Sequence, residues 1–533
     1  MRHLERAGIT NLDKRLTTMI AIPIDNRPRF SLIRWIASRH ALALVRVWQH
    51  AQLDIDSTGQ MRKMLRLMRH RGPDNSVLRT LYDDRGAVGA NEINLSPRRT
   101  RCTALDEAPY ILFDGELFNE RPEGMSDLEL FKEFYDKYEQ DCFSQLNGSF
   151  ACAVVEKDEE VVLARDHVGA RPLFFGHSNS IFYFSTEMKG LADHVQFGIE
   201  ELPPGHIYSS KKGIKAFEAF QPEVPDVGGS PGEAAEILRE LLIEAVRQRI
   251  DGVGAVSLSG GLDSSIVAAI AREYNPNLVL FTGTIARTPG PDLANARQMA
   301  EFLNLEHRIY EITDEDITRF IPNAIWHLES FDEDCISGLI SNYYVSKIVK
   351  QHCNSVLVGE GSDELFGGYR MVLKHPKVNS AEKRERLARR LVDIAYNTAL
   401  RRLDRGWMAS GVDYQVPFLD SRVVAFSRKI PMEWKIYGEK QIEKYILREA
   451  FRDMLPEQIA NREKLRFSMG VGMDDIMDEI VAAIIDPEEI KKRPKAAYGM
   501  PFASFKELYY YDLFLQQFPP SYEKQTVRWD PFK

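Results

Sequence analysis

Two short stretches of this chain carry residue types that are awkward anywhere except around an anion. The first reads SLSGGLDSS, from Ser257 to Ser265, and the second reads GEGSDE, from Gly359 to Glu364. Each follows an apolar run. In the first, Ser257 and Leu258 end the run. Gly260 and Gly261 then let backbone amides approach an anion closely. The hydroxyls of Ser259, Ser264 and Ser265 can donate further hydrogen bonds. A helix starting near Ser264 would add the positive end of its dipole. Asp263 is the odd member, because a carboxylate repels phosphate. Its presence makes sense when Mg²⁺ lies between carboxylate and phosphate. In the second stretch, Asp363 could supply the other carboxylate, and Gly359, Gly361 and Ser362 would line the same ligand. Glu360 would then sit near the reacting centre as a candidate general base. No lysine stands in the first loop as it does in a GxxxxGK[ST] turn, so nothing there would hold a transferring terminal phosphate.

Such loops need strand ends to hold them. SPGEAAEILRELLIEAVRQRI opens with Ser230, Pro231 and Glu233, the signature of a capped helix start. Apolar runs and helical stretches then alternate: GVGAVSL, the SGGLDS turn and its helix, LVLFTGTI, DLANARQMAEFLN and EHRIYEIT. That order predicts a parallel sheet covered on both faces, with ligands bound beyond the carboxyl ends of its strands. From about Asp316 the pattern is mostly helical. The first half differs. PYILFDGELFN, GSFACAVVEKD, EVVLARD and PLFFGHSNSIFYFSTE alternate over short spans and predict a β-rich domain, interrupted by helices at MRKMLRLMRH and SDLELFKEFYDKY. KKGIKAFEAFQPEVPDVGG, Lys211 to Gly229, is rich in Pro, Gly and charge and reads as the linker. KRERLARRL, Lys383 to Leu391, reads as a solvated helix face.

The 533 residues are enough for two or three domains. A net charge of −9 argues against a broad basic surface for nucleic acid. The five cysteines (Cys102, Cys142, Cys152, Cys335 and Cys353) are scattered and form no CxxC pair, as expected of reduced thiols in a cytoplasmic protein. No apolar run approaches the ~20 residues of a membrane helix, and the first residues carry no apolar core of a secretory signal.

SGGLDSS between strand and helix resembles the pyrophosphate loop of the N-type ATP pyrophosphatases, which cleave ATP between the α and β phosphates. Other segments narrow the resemblance: SVLVGEGSDELFGGY (Ser355–Tyr369), LESFD (Leu328–Asp332), VPFLD (Val416–Asp420), EKYILREAF (Glu443–Phe451) and NREKLRFSMGVG (Asn461–Gly472). Together they are similar to the synthetase domain of the asparagine synthetase family. RHRGPD (Arg69–Asp74), FDGELFN (Phe113–Asn119), LNGSFACAV (Leu146–Val154), ARDHVGARPLFFG (Ala164–Gly176), FSTEMKGL (Phe184–Leu191) and LPPGH (Leu202–His206) resemble that family's N-terminal half. The resemblance starts near Thr18. It implies an extension over 1–17 and an αββα sandwich of the N-terminal-nucleophile type over 18–210. A linker over 211–229 and a Rossmann-like parallel-sheet ATP pyrophosphatase domain over 230–533, with a helical C-terminal part, would follow. It also implies ATP and Mg²⁺, and it sets Lys464 where the family keeps a catalytic lysine. A lysine there would neutralise charge on the α-phosphate and the departing pyrophosphate.

The chain departs from the family pattern in four places. TMIAIPID sets Thr18 where the glutaminase cysteine belongs, GANEINL sets Asn91 at the glutamine-binding arginine, and Asp114 stands at the oxyanion asparagine. After LESFD, Ser337 replaces an arginine that binds the aspartate substrate. These changes imply a glutaminase fold without glutaminase activity and put aspartate in doubt. The function expected is an AMP- and pyrophosphate-forming amide synthetase in a specialised biosynthetic pathway. It would activate a carboxylate as its acyl-adenylate and pass it to ammonia or another amine. Alternatives are an intramolecular cyclase of the β-lactam synthetase or lasso-peptide cyclase type, a glutamine-hydrolysing asparagine synthase, and a non-catalytic scaffold. A tRNA-modifying enzyme with the same loop is disfavoured by the acidic balance. Expected partners are a small-molecule or peptide carboxylate and an amine, with no nucleic acid and no membrane, and a homodimer left open.

Overall fold

Strict alternation along the strands of the first half assigns successive side chains to opposite faces. In the strand Gly148–Val155, Ala151, Ala153 and Val155 point one way, and Phe150, Cys152 and Val154 the other. The first set packs on Phe175, Phe182 and Phe184 of a second sheet. The other packs on Phe131 and Tyr135 of the helix Asp127–Tyr138. Ile181 and Tyr183, on the far face of the second sheet, belong to the same buried cluster as Met61 and Met64 of the helix Ser57–Leu67. The first half thus packs two sheets face to face, with the helix Asp127–Tyr138 on the outer face of one of them. The structure, a computed structural model, describes residues 57–81, 86–96, 103–178, 181–369, 375, 378–463 and 472–526, with the backbone of two further strands, Arg34–Ser38 and Ala41–Val47. Thr18 and Lys464 lie outside the described residues.

Both sheets of the first half are antiparallel. One runs Arg34–Ser38, Ala41–Val47, Ile181–Ser185, Phe174–Ser178 and Glu200–Glu201 in spatial order. The other runs Gly213–Ala216, His206–Ser209, Val161–Arg165, Gly148–Val155, Tyr110–Leu117 and Thr103–Ala104. Gly213–Ala216 was expected within the linker. Instead it turns back at Ser210–Lys212 and pairs with His206–Ser209 as an exposed edge strand, so the unpaired connection begins only after Ala216.

The second half holds a parallel five-stranded sheet in the order Glu306–Ile312, Val279–Ile285, Ala255–Ser257, Ser355–Leu357, Asp413–Gln415. Its three inner strands are largely apolar, and helices such as Pro231–Arg249, Leu262–Tyr274 and Glu333–Lys350 bury them in one core. The Ser230 hydroxyl caps the helix Pro231–Arg249 by accepting from the Glu233 amide, while the Glu233 carboxylate accepts from the Gly229 amide at 2.7 Å. Ala255–Ser257 and Ser355–Leu357 are neighbours, so the two loops singled out in the sequence leave the sheet side by side.

A buried ionic network joins the halves. Arg71 donates to both oxygens of Asp404, at 2.6 and 2.8 Å, and to Glu187 at 2.9 Å. Arg405 donates to Asp404 and to Glu329, at 2.8 and 2.7 Å. Lys189 lies between Glu187 and Glu329, at 2.7 and 3.0 Å. Arg171 of the first half pairs with Asp413, at the first position of the last parallel strand, at 2.7 Å.

Candidate active site

The first loop is held by its own hydroxyls. The Ser259 amide donates to Ser264 Oγ at 3.1 Å, the two hydroxyls meet at 2.9 Å, and the Gly261 amide donates to Ser259 Oγ at 3.2 Å. Leu258 anchors the base of the turn, its amide donating to the Phe281 carbonyl at 2.8 Å. Gly260 adopts φ +78°, and a Cβ there would come within 2.3 Å of the Asp292 carbonyl, so only glycine fits. The helix was expected to begin near Ser264. It begins at Leu262, with Gly261 as its cap and no side-chain cap bond. The start moves two residues towards the N-terminus because Gly261 already takes the extended backbone a cap needs, φ −77° and ψ 165°. Asp263 thus lies in the first turn, near the positive end of the dipole. The Ser265 hydroxyl is buried and has no hydrogen-bond partner among the described residues.

The second loop touches the first. A Cβ on Gly359 would lie 2.8 Å from the Ser264 amide nitrogen, and Ser362 Oγ donates to Asp263 Oδ1 at 2.8 Å. Gly361 caps the short helix Ser362–Phe366, which carries Asp363 in its first turn. Asp263 and Asp363 converge on one cation, the Lys444 ammonium, 2.6 Å from an oxygen of each. Gly368 leaves the room for this, since a Cβ there would fall 1.9 Å from Asp363 Oδ1 and 2.5 Å from Lys444 Cε. Glu360, on the same loop, lies 3.8 Å from the Arg402 guanidinium.

Sequence reasoning quoted EKYILREAF but gave Lys444 no role. A local signal existed: Lys444 precedes the helix Tyr445–Phe451, where a cation opposes the dipole. Arg462 was also missed. It donates to the Gly260 carbonyl at 2.6 Å and pairs with Asp292, tying the segment that leads to position 464 against the first loop.

A pair of carboxylates converging on one cation, with hydroxyls and amides beside it, is a donor set that suits Mg²⁺ held jointly with substrate phosphates. Among the described residues, no group of three or more His, Cys, Asp or Glu side chains is placed to hold a metal alone. Phosphate oxygens would therefore have to complete the shell.

In the first half, Asn91 is buried, its amide donating to the Leu65 carbonyl at 2.8 Å and its oxygen accepting from Ser76 at 2.5 Å. Asp114 is fully buried, with Arg171 Nε 4.0 Å from its carboxylate. Ser337 is buried in the helix Glu333–Lys350.

A parallel-sheet α/β domain whose adjacent strand ends carry an anion-accepting turn and two convergent acids belongs, by its architecture, among proteins that handle nucleotide phosphates. The comparisons agree with this class. A family described as asparagine synthase matches residues 237–393 and 379–524, and one described as a glutamine amidotransferase domain matches residues 46–203. The glutamine-hydrolysing asparagine synthetase of Zea mays is 31% identical over 507 residues, 88% of this chain and 85% of that protein. Asparagine synthetase 1 of Saccharomyces cerevisiae is 31% identical over 87% of this chain and 91% of its own. Asparagine synthetase B of Escherichia coli is 30% identical over 86% and 88%. The chain belongs to the asparagine synthetase family and is an ATP-dependent ligase.

Proposed function

We propose that this chain forms amide bonds by splitting ATP into AMP and pyrophosphate. The observation that carries the reading is the meeting of Asp263 and Asp363 at one cation site, on loops from adjacent strands. The substrate carboxylate attacks the α-phosphorus, giving an acyl-adenylate and releasing pyrophosphate. The backbone and hydroxyls from Ser259 to Ser265 hold the departing pyrophosphate. Asp263 and Asp363 hold Mg²⁺, which would neutralise phosphate charge. Lys444 lies at the same place and offsets charge there. Lys464 is proposed to act on the α-phosphate. Arg462, two positions earlier, is fixed at Gly260, and two residues span up to about 7 Å, which favours this role. An amine then attacks the acyl carbon while Glu360 takes its proton.

The first half is proposed to keep the N-terminal-nucleophile sandwich without its glutaminase reaction. In support, Asn91 has its amide bonded within the core, and Asp114 sets a negative charge where an oxyanion would form. The amine is then free ammonia or a second amine, within a specialised pathway. A second reading, in which glutamine supplies the ammonia, is favoured by the glutamine-hydrolysing names of the relatives.

Product analysis tests the proposal. Incubation with MgATP, ammonium and candidate carboxylates should yield AMP and pyrophosphate by ³¹P NMR, together with an amide by mass spectrometry. ADP with orthophosphate would refute it.

A further inference from the structure

The strand that leads into the first loop stops before its neighbour does. Ala255–Ser257 pairs in parallel with Val279–Phe281, and the strand Val279–Ile285 runs on past it. Leu258 is the first residue beyond that pairing. Its amide still donates to the Phe281 carbonyl at 2.8 Å. Its carbonyl accepts from a side chain, the Thr282 hydroxyl. Thr282, 3% exposed, lies in turn 2.8 Å from Nε2 of His307, on the edge strand Glu306–Ile312. A hydroxyl has one proton, and a carbonyl can only accept. The Thr282 proton therefore goes to Leu258, and His307 donates from Nε2. Burial, and then the Arg297 charge, bring the His307 imidazole down to about 4, so it donates as a neutral ring.

The peptide unit between Leu258 and Ser259 is thus clamped at both ends. Its oxygen is held by Thr282, and its N–H donates to Ser264 Oγ at 3.1 Å. The clamp decides which way the unit faces. As held, it keeps Ser259 Oγ 2.9 Å from Ser264 Oγ and accepting from the Gly261 amide. Turned over, the unit would point a carbonyl, the negative end of its dipole, into a turn whose other members are donors. Thr282 and His307 stand on two other strands, so they set this peptide from outside the SGGLDSS segment.

We propose that His307 and Thr282 are positioning residues for pyrophosphate binding: together they fix the Leu258–Ser259 peptide so that the turn offers amides and hydroxyls, rather than a carbonyl, to the β and γ phosphates of ATP. The inference rests on the AMP-forming reading and adds to it two residues outside the loop. Both act through the Leu258 carbonyl. Because the clamp serves only the outer phosphates, it separates ligands that carry them from AMP, which does not.

Isothermal titration of the full chain with MgATP, magnesium pyrophosphate and AMP tests this. Thr282→Val keeps the β-branched shape that a strand favours and removes only the hydroxyl. It should weaken MgATP and magnesium pyrophosphate about 10-fold, and AMP by less than about twofold, as expected for one buried acceptor left unmet beside the outer phosphates. His307→Leu should weaken the same two ligands by a smaller factor. Thr282→Ser and His307→Gln, which return a hydroxyl and an N–H to those places, should recover most of the affinity. Wild-type affinity for pyrophosphate in Thr282→Val, an AMP affinity that falls in step with it, or no recovery in Thr282→Ser each overturns the inference and leaves the AMP-forming reading standing. A wild type that binds neither MgATP nor pyrophosphate removes both.

Discussion

Asp263 and Asp363 end on the same ammonium, that of Lys444. Two oxygens each 2.6 Å from Lys444 Nζ lie at most about 5 Å apart. At that separation two carboxylates repel by roughly 3 kcal/mol at an effective dielectric of about 20. Lys444, with its side chain 1% exposed, offsets this repulsion and keeps both loops in register. It also competes with any divalent ion that arrives without phosphate.

Replacing this lysine should therefore change how the protein responds to metal. Lys444→Met is expected to lower the thermal midpoint, and Mg²⁺ without nucleotide should restore part of the loss. The wild type should show little response to Mg²⁺ alone. Amide synthesis by the variant should fall on the order of 100-fold or more. Differential scanning calorimetry with and without Mg²⁺ checks the first part, and a rise in the wild type as large as in the variant would contradict it. Asp263→Asn keeps an oxygen for Ser362 and should fold normally, yet pyrophosphate exchange should vanish.

The contact between the two loops is tight enough to be tested by one carbon. In Gly359→Ala the new Cβ would lie 2.8 Å from the Ser264 nitrogen, backbone that cannot swing aside. The loops should separate, raising the KM for ATP severalfold with modest loss of stability. Gly260→Ala adds a left-handed backbone to a 2.3 Å approach, so it should cost about 1–3 kcal/mol in stability as well. Urea unfolding and steady-state kinetics distinguish the two. Equal kinetics in Gly359→Ala and the wild type would mean the loops do not close on a shared ligand.

Much of this was legible in local pattern. The strand–turn–helix order around Ser257–Ser265 carries its own geometry, and alternation in GSFACAVV assigns both faces of its strand. The Gly213–Ala216 strand was not legible, because its residues are exposed and its pairing depends on a partner edge. Lys444 was missed for a related reason: it meets Asp263 and Asp363, both distant from it in sequence.

The junction between the halves should be acid-labile. Burial alone would raise the Asp404 carboxyl. The Arg71 guanidinium and its hydrogen bonds, with Arg405, outweigh burial and bring Asp404 down to about 2. A folded value below the unfolded one, ~3.9, gives stability that is full above pH ~4 and is lost as pH falls towards 2. Asp404→Asn should remove that titration and, by leaving Arg71 and Arg405 underpaired, destabilise the protein by about 3–5 kcal/mol. Denaturation midpoints measured between pH 2 and 7 for both proteins check this. Parallel pH profiles would show that Asp404 does not govern the junction.

Glutamine should fail as a nitrogen donor. Hydrolysis of an amide needs donors aimed at the developing oxyanion. Asp114, at the position in question, instead brings a buried carboxylate, 4.0 Å from Arg171, which in turn holds Asp413 of the second half at 2.7 Å. The charge is thus built into the contact between the halves and cannot turn away. Asn91 cannot clamp a substrate carboxylate, because its amide group is spent on Leu65 and Ser76. With ammonium, amide should form. With L-glutamine alone, glutamate release in a coupled dehydrogenase assay should stay at background, and Asp114→Asn should not restore it while Asn91 remains. Glutamate appearing at the rate of amide formation would show that glutamine feeds the synthetase after all, and that the buried Asp114 does not prevent it.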